Sequence, residues 1–245
     1  MRKIFIKNRD IDDGIVKIIG DDAHHIIHVL RLKPGANLLL SDGMLQYSAL
    51  IDSINKSSVI LKIMNIHDED VESPINITLY QGLPKSDKMD FIIQKCTEIG
   101  VKRFVPLETK YSLIKIKEKN IENKINRWQK ISHEASKQSG RSVVPDVLMP
   151  IDFKESLKGI CDYDLSIIPY EKEKRLGLKD ILKEYKQAKN ISVFIGPEGG
   201  FSDDEINTAI ECGIKPVTLG PRILRTETAG IVTCSIILYE LGDLG

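Results

Sequence analysis

A chain of 245 residues, 42% hydrophobic and 29% charged, is long enough for one large core or two modest ones and has the make-up of a soluble globular protein. Its formal charge is zero but unevenly spread: 9 Lys/Arg against 11 Asp/Glu in residues 1–73, 14 against 7 in 74–141, and 12 against 17 in 142–245. The apolar stretch from Ile231 to Leu241 is too short to span a bilayer and the first residues turn charged too soon for a signal core, so a cytoplasmic protein is expected.

Strands are predicted at Lys3–Ile6, Ile15–Ile18, Ala36–Leu40, Tyr47–Ile54 and Val59–Ile66, with turn signals at Pro34-Gly35, Asp42-Gly43 and Asn55–Ser57. A helix, DDAHHIIHVLR, is expected to start at an Asp21/Asp22 cap and end before Lys33-Pro34. Short strands with one helix suggest a small barrel over residues 1–70. The polar, acidic HDEDVESP, residues 67–74, reads as a linker.

From residue 74 to 245 the rhythm changes to α/β alternation. Strands are predicted at Asn76–Gln81, Arg103–Leu107, Tyr163–Pro169, Ile191–Ile195 and Pro216–Leu219. Helices are predicted at Ser86–Ile99, Ile121–Gln138, Leu176–Lys189, Asp203–Cys212 and Glu227–Leu241. ISVFI is apolar throughout, as a parallel strand covered on both faces requires. The four cysteines, Cys96, Cys161, Cys212 and Cys234, form no CxxC pair, and their contexts predict buried reduced thiols. The basic middle segment suggests a localised polyanion-binding face, the plainer alternative being solvated helix surfaces.

The most informative segment is FIGPEGGFSDDE, Phe194 to Glu205. Ser202 and Glu205 have the spacing of a capping box, and Gly213 closes the helix they start. The loop Gly196–Phe201 thus lies between a strand's C-terminus and a helix N-terminus, where ligands sit in open α/β sheets. It is not a phosphate cradle. GPEGGF matches neither nucleotide motif, Pro197 removes an N–H donor, and Glu198 would repel a pyrophosphate. A glutamate there suits hydroxyls, an amine or a positive centre.

A second loop, LGPRILRTETAG from Leu219 to Gly230, repeats the pattern of an apolar residue followed by Gly-Pro. Consecutive parallel strands are expected to place their ends side by side, so both loops can build one pocket, with Glu198 on one wall and Arg225 on the other. Such a pocket fits a zwitterionic ligand and an electron-rich acceptor.

GPEGGFSDDE followed by LGPRILRTETA resembles the C-terminal signature of the SPOUT superfamily of S-adenosylmethionine-dependent RNA methyltransferases, and more narrowly of the RsmE family. HHIIHVLRLKPG (24–35), KSDKMDFIIQKCTEIGV (85–101) and RWQKISHEASKQSGR (127–141) extend the similarity over both halves of the chain. One departure is KSDKMD, where family members often show lysine-glycine; Ser86 there is expected to alter a loop, not the chemistry.

The resemblance implies a PUA-like β-barrel that helps hold RNA, followed by an α/β domain with a deep trefoil knot that forms a homodimer. It implies S-adenosyl-L-methionine as cofactor and methylation of N3 of one uridine in the 16S rRNA of the small ribosomal subunit. Carried onto this sequence, the cofactor site comprises Ile195, Gly196, Gly199, Gly200, Leu219, Gly220, Ile223, Leu224 and Thr228. Arg225 is expected to stabilise the developing uridinate. Glu198 is expected to orient cofactor or substrate, with a role as base as the lesser possibility. Arg31, Lys85, Lys88, Arg127, Gln138, Arg141 and Arg222 are the expected RNA contacts.

Trp128 reads as core rather than as a stacking platform. His24, His25 and His28 lack the glutamate of the zincin pattern and an evident third ligand, so no metal is expected. The last helix is apolar on most of its circumference, which suits deep burial or the implied dimer interface. Three other readings compete: a non-catalytic ribosome-assembly factor on the same fold, a SPOUT methyltransferase acting on another rRNA or tRNA nucleotide, and a nucleotide-dependent enzyme on a doubly wound sheet. The missing phosphate motif opposes the last.

Overall fold

The computed structural model describes residues 3–6, 10–43, 45–67, 71–112 and 120–245. Contacts divide the chain into two units, Met1–Glu72 with Ser136–Val144, and Ser73–Ala135 with Pro145–Gly245.

The first unit is a six-stranded sheet built from β1 (Lys3–Phe5), β2 (Ile11–Asp12), β3 (Ile15–Ile19), β4 (Asn37–Ser41), β5 (Gln46–Ile54) and β6 (Ser58–His67). The strand order is β1-β4-β5-β6-β3-β2, with β1 and β4 parallel and the other pairs antiparallel. Register shifts at Ser48/Ala49 and Ile51/Ser53 bend β5 and β6. Val16, Leu38, Leu40, Ala49, Ile51, Val59 and Leu61 alternate inward and pack on Ala23 and Ile26 of the helical segment.

That helical segment is α1 (Gly20–His24) continued by a π turn (His25–Val29). The expected aspartate cap is not formed. The cap is Ile19, without a side-chain bond, and Asp21 and Asp22 sit inside the first turn, where they suit the helix dipole. Asp22 also takes an ion pair from Lys137 at 2.8 Å.

The proposed linker is only partly a tether. Residues 68–70 lie outside the described residues, Ser73 is buried, and the Glu72 side chain is 4% exposed. The Glu72 carboxylate takes the Arg141 guanidinium, with Nη2 at 2.6 Å, and the backbone N–H groups of Ser142 (2.9 Å) and Val143 (3.1 Å). Ser41 and Gln46 bond Ser142 as well, at 2.8 and 3.0 Å. Residues Ser136–Val144, although surrounded in sequence by the second unit, therefore belong to the first.

The second unit holds β7 (Asn76–Gly82), β8 (Arg103–Glu108), β9 (Asp146–Val147), β10 (Ile151–Asp152), β11 (Leu165–Pro169), β12 (Asn190–Ile195) and β13 (Lys215–Val217). All are parallel in the order β10-β8-β7-β12-β11-β13, with β9 also on β8. The helices are α2 (Lys88–Ile99), α3 (Ile121–Ser139, whose last residues from Ser136 count with the first unit), α4 (Phe153–Ser156, running into a 3-10 turn to Asp162), α5 (Leu178–Glu184), α6 (Asp203–Glu211) and α7 (Thr226–Leu241).

Alternation along the strands explains why they read as apolar throughout. Ile77, Leu79, Ile191 and Val193 join the core under α2, α5 and α7, whereas Tyr80 and Phe194 face the core under α4 and α6. Tyr80 and Phe194 stack at 4.4 Å. Trp128 is in the first of these cores and its indole N–H donates to Asp90 at 3.0 Å.

Two expectations fail here. The strands carrying the two glycine loops are not neighbours, because β11 lies between β12 and β13. Of the cysteines, only Cys96 and Cys234 are buried; Cys161 and Cys212 are exposed, at a 3-10 turn and a helix end. Among the described residues no helix is long and apolar enough to cross a membrane.

Candidate active site

Both glycine loops still close on one cavity, of about 550 Å³. The gap left by the intervening strand is filled by the end of β11, where Pro169, Tyr170 and Glu171 form a third wall. Sequence reasoning missed this wall, although SIIPY repeats the signal of an apolar run ending in proline. Ile195, Gly196, Gly199, Gly200, Leu219, Gly220, Ile223 and Leu224 line the cavity as expected, together with Glu198, Arg222 and Arg225.

The loop after β12 is folded tightly on itself. Gly200 N–H donates to the Pro197 carbonyl at 2.9 Å, and a Cβ on Gly196 would lie 2.9 Å from Gly200 backbone atoms. Only glycine fits there. The following helix has the expected capping box: Ser202 Oγ accepts from Glu205 N–H, and Glu205 Oε2 accepts from Ser202 N–H at 2.8 Å. Glu205 Oε1 takes the Lys110 N–H at 2.8 Å, so this helix start offers the cavity no free anion nest.

A buried relay pins the loop from below. Gln81 Nε2 donates to Thr226 Oγ1 at 2.9 Å, and Thr226 Oγ1 donates to the Gly196 carbonyl at 2.6 Å. Thr226 lines the cavity whereas Thr228, the expected contact, is exposed and does not. The correction is one of helix phase: α7 begins at Thr226, so Thr226 and Ala229 face the cavity and Thr228 points away.

The charges on the rim are arranged asymmetrically. Lys88 Nζ lies 2.9 Å from Glu198 Oε1 and 3.3 Å from Glu227 Oε2. Burial alone would raise the Glu198 carboxyl, but the Lys88 ammonium and backbone N–H groups outweigh it and hold the group below the ordinary carboxylate value. A carboxylate held so is a poor proton acceptor near neutral pH and a good hydrogen-bond acceptor. The Glu198 carboxylate in turn lifts the Lys88 ammonium above its ordinary value. Arg225 caps α7 with an exposed side chain, and among the described residues no hydrogen bond or ion pair engages the Arg225 or Arg222 guanidinium.

The expected RNA contacts scatter. Arg141 is no contact at all: its side chain is 5% exposed and is paired with Glu72, whose own burial would raise its pKa but whose bonds to Arg141, Ser142 and Val143 hold it lowered. Arg127 is exposed and pairs with Asp90 and, at 3.4 Å, with Asp87. Arg31 and Gln138 are exposed in the first unit. Lys85 extends into solvent while its backbone N–H holds Glu198. Ser86 has φ 54°, in the left-handed region that favours glycine. Among the described residues no group of three or more His, Cys, Asp or Glu is placed to hold a metal; His24 and His28 face one another with ring centroids 4.6 Å apart.

Residues 71–238 match the family described as an RNA methyltransferase domain, and residues 18–64 match the RNA methyltransferase PUA domain. A parallel sheet with a glycine-loop cavity, joined to that domain, defines the class of PUA-containing RNA methyltransferases. The chain is 33% identical to the ribosomal RNA small subunit methyltransferase E of Bacillus subtilis, over 98% of this chain and 97% of that protein. It is 34% identical to the protein of the same name from Buchnera aphidicola, over 98% and 94%. A crystal structure of a ribosomal RNA small subunit methyltransferase E from Neisseria gonorrhoeae bound to S-adenosyl methionine superposes with a TM-score of 0.89 at 31% identity, covering all of both chains. The chain belongs to the ribosomal RNA small subunit methyltransferase E family.

Proposed function

We propose that this chain transfers a methyl group from S-adenosylmethionine to N3 of one uridine in the 16S rRNA of the small ribosomal subunit. The observation that carries this reading is the single cavity that brings the Glu198 carboxylate and the unengaged Arg225 guanidinium together over a glycine-lined floor. The names of the relatives, and the cofactor bound in the Neisseria structure, support it.

The residues present fit the cofactor. The loop is so tight at Gly196 that a Cβ would meet backbone, which lets a ligand lie against bare peptide groups. The lysine on the wall, Lys88, is committed to two carboxylates and is not free to hold a phosphate. Ile195, Gly196, Gly199, Gly200, Leu219, Gly220, Ile223 and Leu224 would hold the cofactor, with Thr226 and the end of β11 completing the site. When bound, S-adenosylmethionine supplies an electrophilic methyl group.

The uracil N3 proton must leave for that nitrogen to attack, and its pKa lies well above neutral. Arg225 is placed at the cavity to stabilise the negative charge that develops on the uracil carbonyls. Glu198 is assigned to orientation rather than to proton removal, because its lowered pKa keeps it ionised and weakly basic. Arg31, Lys85, Arg127, Gln138 and Arg222 would position RNA from exposed sites.

The same reading takes residues 1–70 as a PUA-like RNA-holding domain and 74–245 as the methyltransferase domain, acting in the cytoplasm as a homodimer through α7. Support for the dimer comes from Tyr239, 63% exposed on a predominantly apolar helix. Support for a trefoil knot comes from the chain path, which passes from edge strand β13 back to α7 packed on β7 and β12.

Two measurements test the proposal. Calorimetric titration should show S-adenosylmethionine binding, and mass spectrometry of small-subunit rRNA from a deletion strain should show loss of 3-methyluridine. Absence of cofactor binding would leave an assembly factor. Loss of a different methylated nucleotide would overturn the assignment of the target.

A further inference from the structure

Three elements distant in the chain converge on one ammonium. Lys88 is the first residue of α2, Glu198 is in the loop after β12, and Glu227 is in the first turn of α7. All three side chains are at least two-thirds shielded, 32%, 28% and 16% exposed respectively. Two carboxylates converging at the rim of a cavity repel one another, and a cation shared between them reverses that repulsion. Helix context gives the lysine no reason to stand there, since a helix N-terminus disfavours positive charge. The carboxylates supply that reason.

A second observation points the same way. The segment before Lys88 makes a left-handed turn at Ser86, φ 54°, a conformation costly for a residue with a side chain. The turn places the Lys85 N–H 3.2 and 3.3 Å from the two Glu198 oxygens while Lys88 Nζ reaches Oε1. Residues 85–88 therefore grip one carboxylate from two directions. The relay holds the gripped loop at Gly196 and an internal bond closes it at Gly200, but the Glu198 side chain is held from outside the loop only by residues 85–88 among the described residues.

We propose that Lys88 is a positioning residue, a latch that ties the glutamate loop to the start of α7 and thereby fixes the shape of the cavity. It is not an RNA phosphate contact. The inference rests on the methyl-donor reading of the cavity for its functional consequence, but the latch itself is a property of the ligand-free protein.

The test uses full-length Lys88→Met and Lys88→Arg, each first checked for an unchanged thermal transition. In ligand-free protein, hydrogen exchange of the backbone amides in residues 198–201 should quicken in Lys88→Met and return toward wild type in Lys88→Arg. Unchanged exchange in Lys88→Met overturns the latch. Titration should then show cationic S-adenosylmethionine and neutral S-adenosylhomocysteine weakened together, by roughly three- to tenfold, as expected for a partly exposed charge pair. The KM for the methyl donor should rise while kcat at saturation holds. Improved binding of the cationic ligand alone would mean that Lys88 acts only as local charge, and overturns the proposal. So does a shallower salt dependence of RNA affinity, the mark of a lost phosphate contact. Wild-type protein that binds neither ligand refutes the methyl-donor reading, and the exchange measurement still decides the latch.

Discussion

Gly82 and Pro197 touch at a point where Gly82 cannot be enlarged: a Cβ built on Gly82 would lie 2.5 Å from Pro197 Cδ and 2.6 Å from its nitrogen. The end of β7 is thus the bed on which the glutamate loop rests. Gly82→Ala should push that loop away, lowering stability by about 1–3 kcal/mol as overpacking does and weakening cofactor binding with it. Gly159→Ala, whose new methyl would meet nothing closer than 3.9 Å, is the matched control and should leave both unchanged. Thermal melts and cofactor titrations on the two variants check this.

The Gln81–Thr226–Gly196 relay makes a graded prediction. Thr226→Val keeps the shape but removes the hydroxyl that donates to the Gly196 carbonyl and accepts from Gln81. It should cost about 1–3 kcal/mol of stability, because buried polar groups are left unpaired, and should raise the KM for the methyl donor. Thr226→Ser should behave as wild type in both measurements.

Arg225 should separate binding from chemistry. Under the proposed function, Arg225→Ala lowers kcat in single-turnover methylation by roughly 100-fold or more while cofactor affinity stays near wild type. Wild-type turnover in that variant removes Arg225 from the mechanism.

The Glu72–Arg141 pair predicts how stability depends on pH. The Glu72 side chain is 4% exposed, and its pKa is lowered by Arg141 and two backbone donors despite the cost of burial. Its contribution is complete above the ordinary carboxylate value and is lost as pH falls through the lower, folded value. Urea midpoints taken from pH 7 downward should show this acid-side loss in wild type. Glu72→Gln should lower stability by about 3–5 kcal/mol at neutral pH, because it breaks a buried ion pair, and should flatten that pH dependence.

Ser86 offers a stabilising change. Ser86→Gly relieves a left-handed backbone cost of about 1–2 kcal/mol, partly offset by the freer unfolded chain, so a small rise in melting temperature is expected.

Much of this was legible in the sequence because it is written locally. The Ser202–Glu205 cap, the apolar ISVFI strand and the two Gly-Pro loops are each decided within a dozen residues. What was illegible depends on distant partners. Hydrophobic period reports that β13 is buried but not that it pairs with β11 instead of β12. Arg141 resembles any surface arginine until Glu72, 69 residues earlier, is found beside it. Thr228 and Thr226 differ only in helix phase, which the start of α7 determines. The Lys88 latch joins residues 110 positions apart or more, and a count of charges in the basic segment placed that lysine among RNA contacts.

The position of α7 has a consequence during synthesis. Both glycine loops and the end of β11 are complete once residue 225 has been translated, yet Thr226 and Ala229 complete the cavity wall, and the apolar face of α7 packs on α2. A chain translated only to residue 225 would therefore carry nearly the whole site in an unusable form, becoming competent to bind only when α7 has formed and packed.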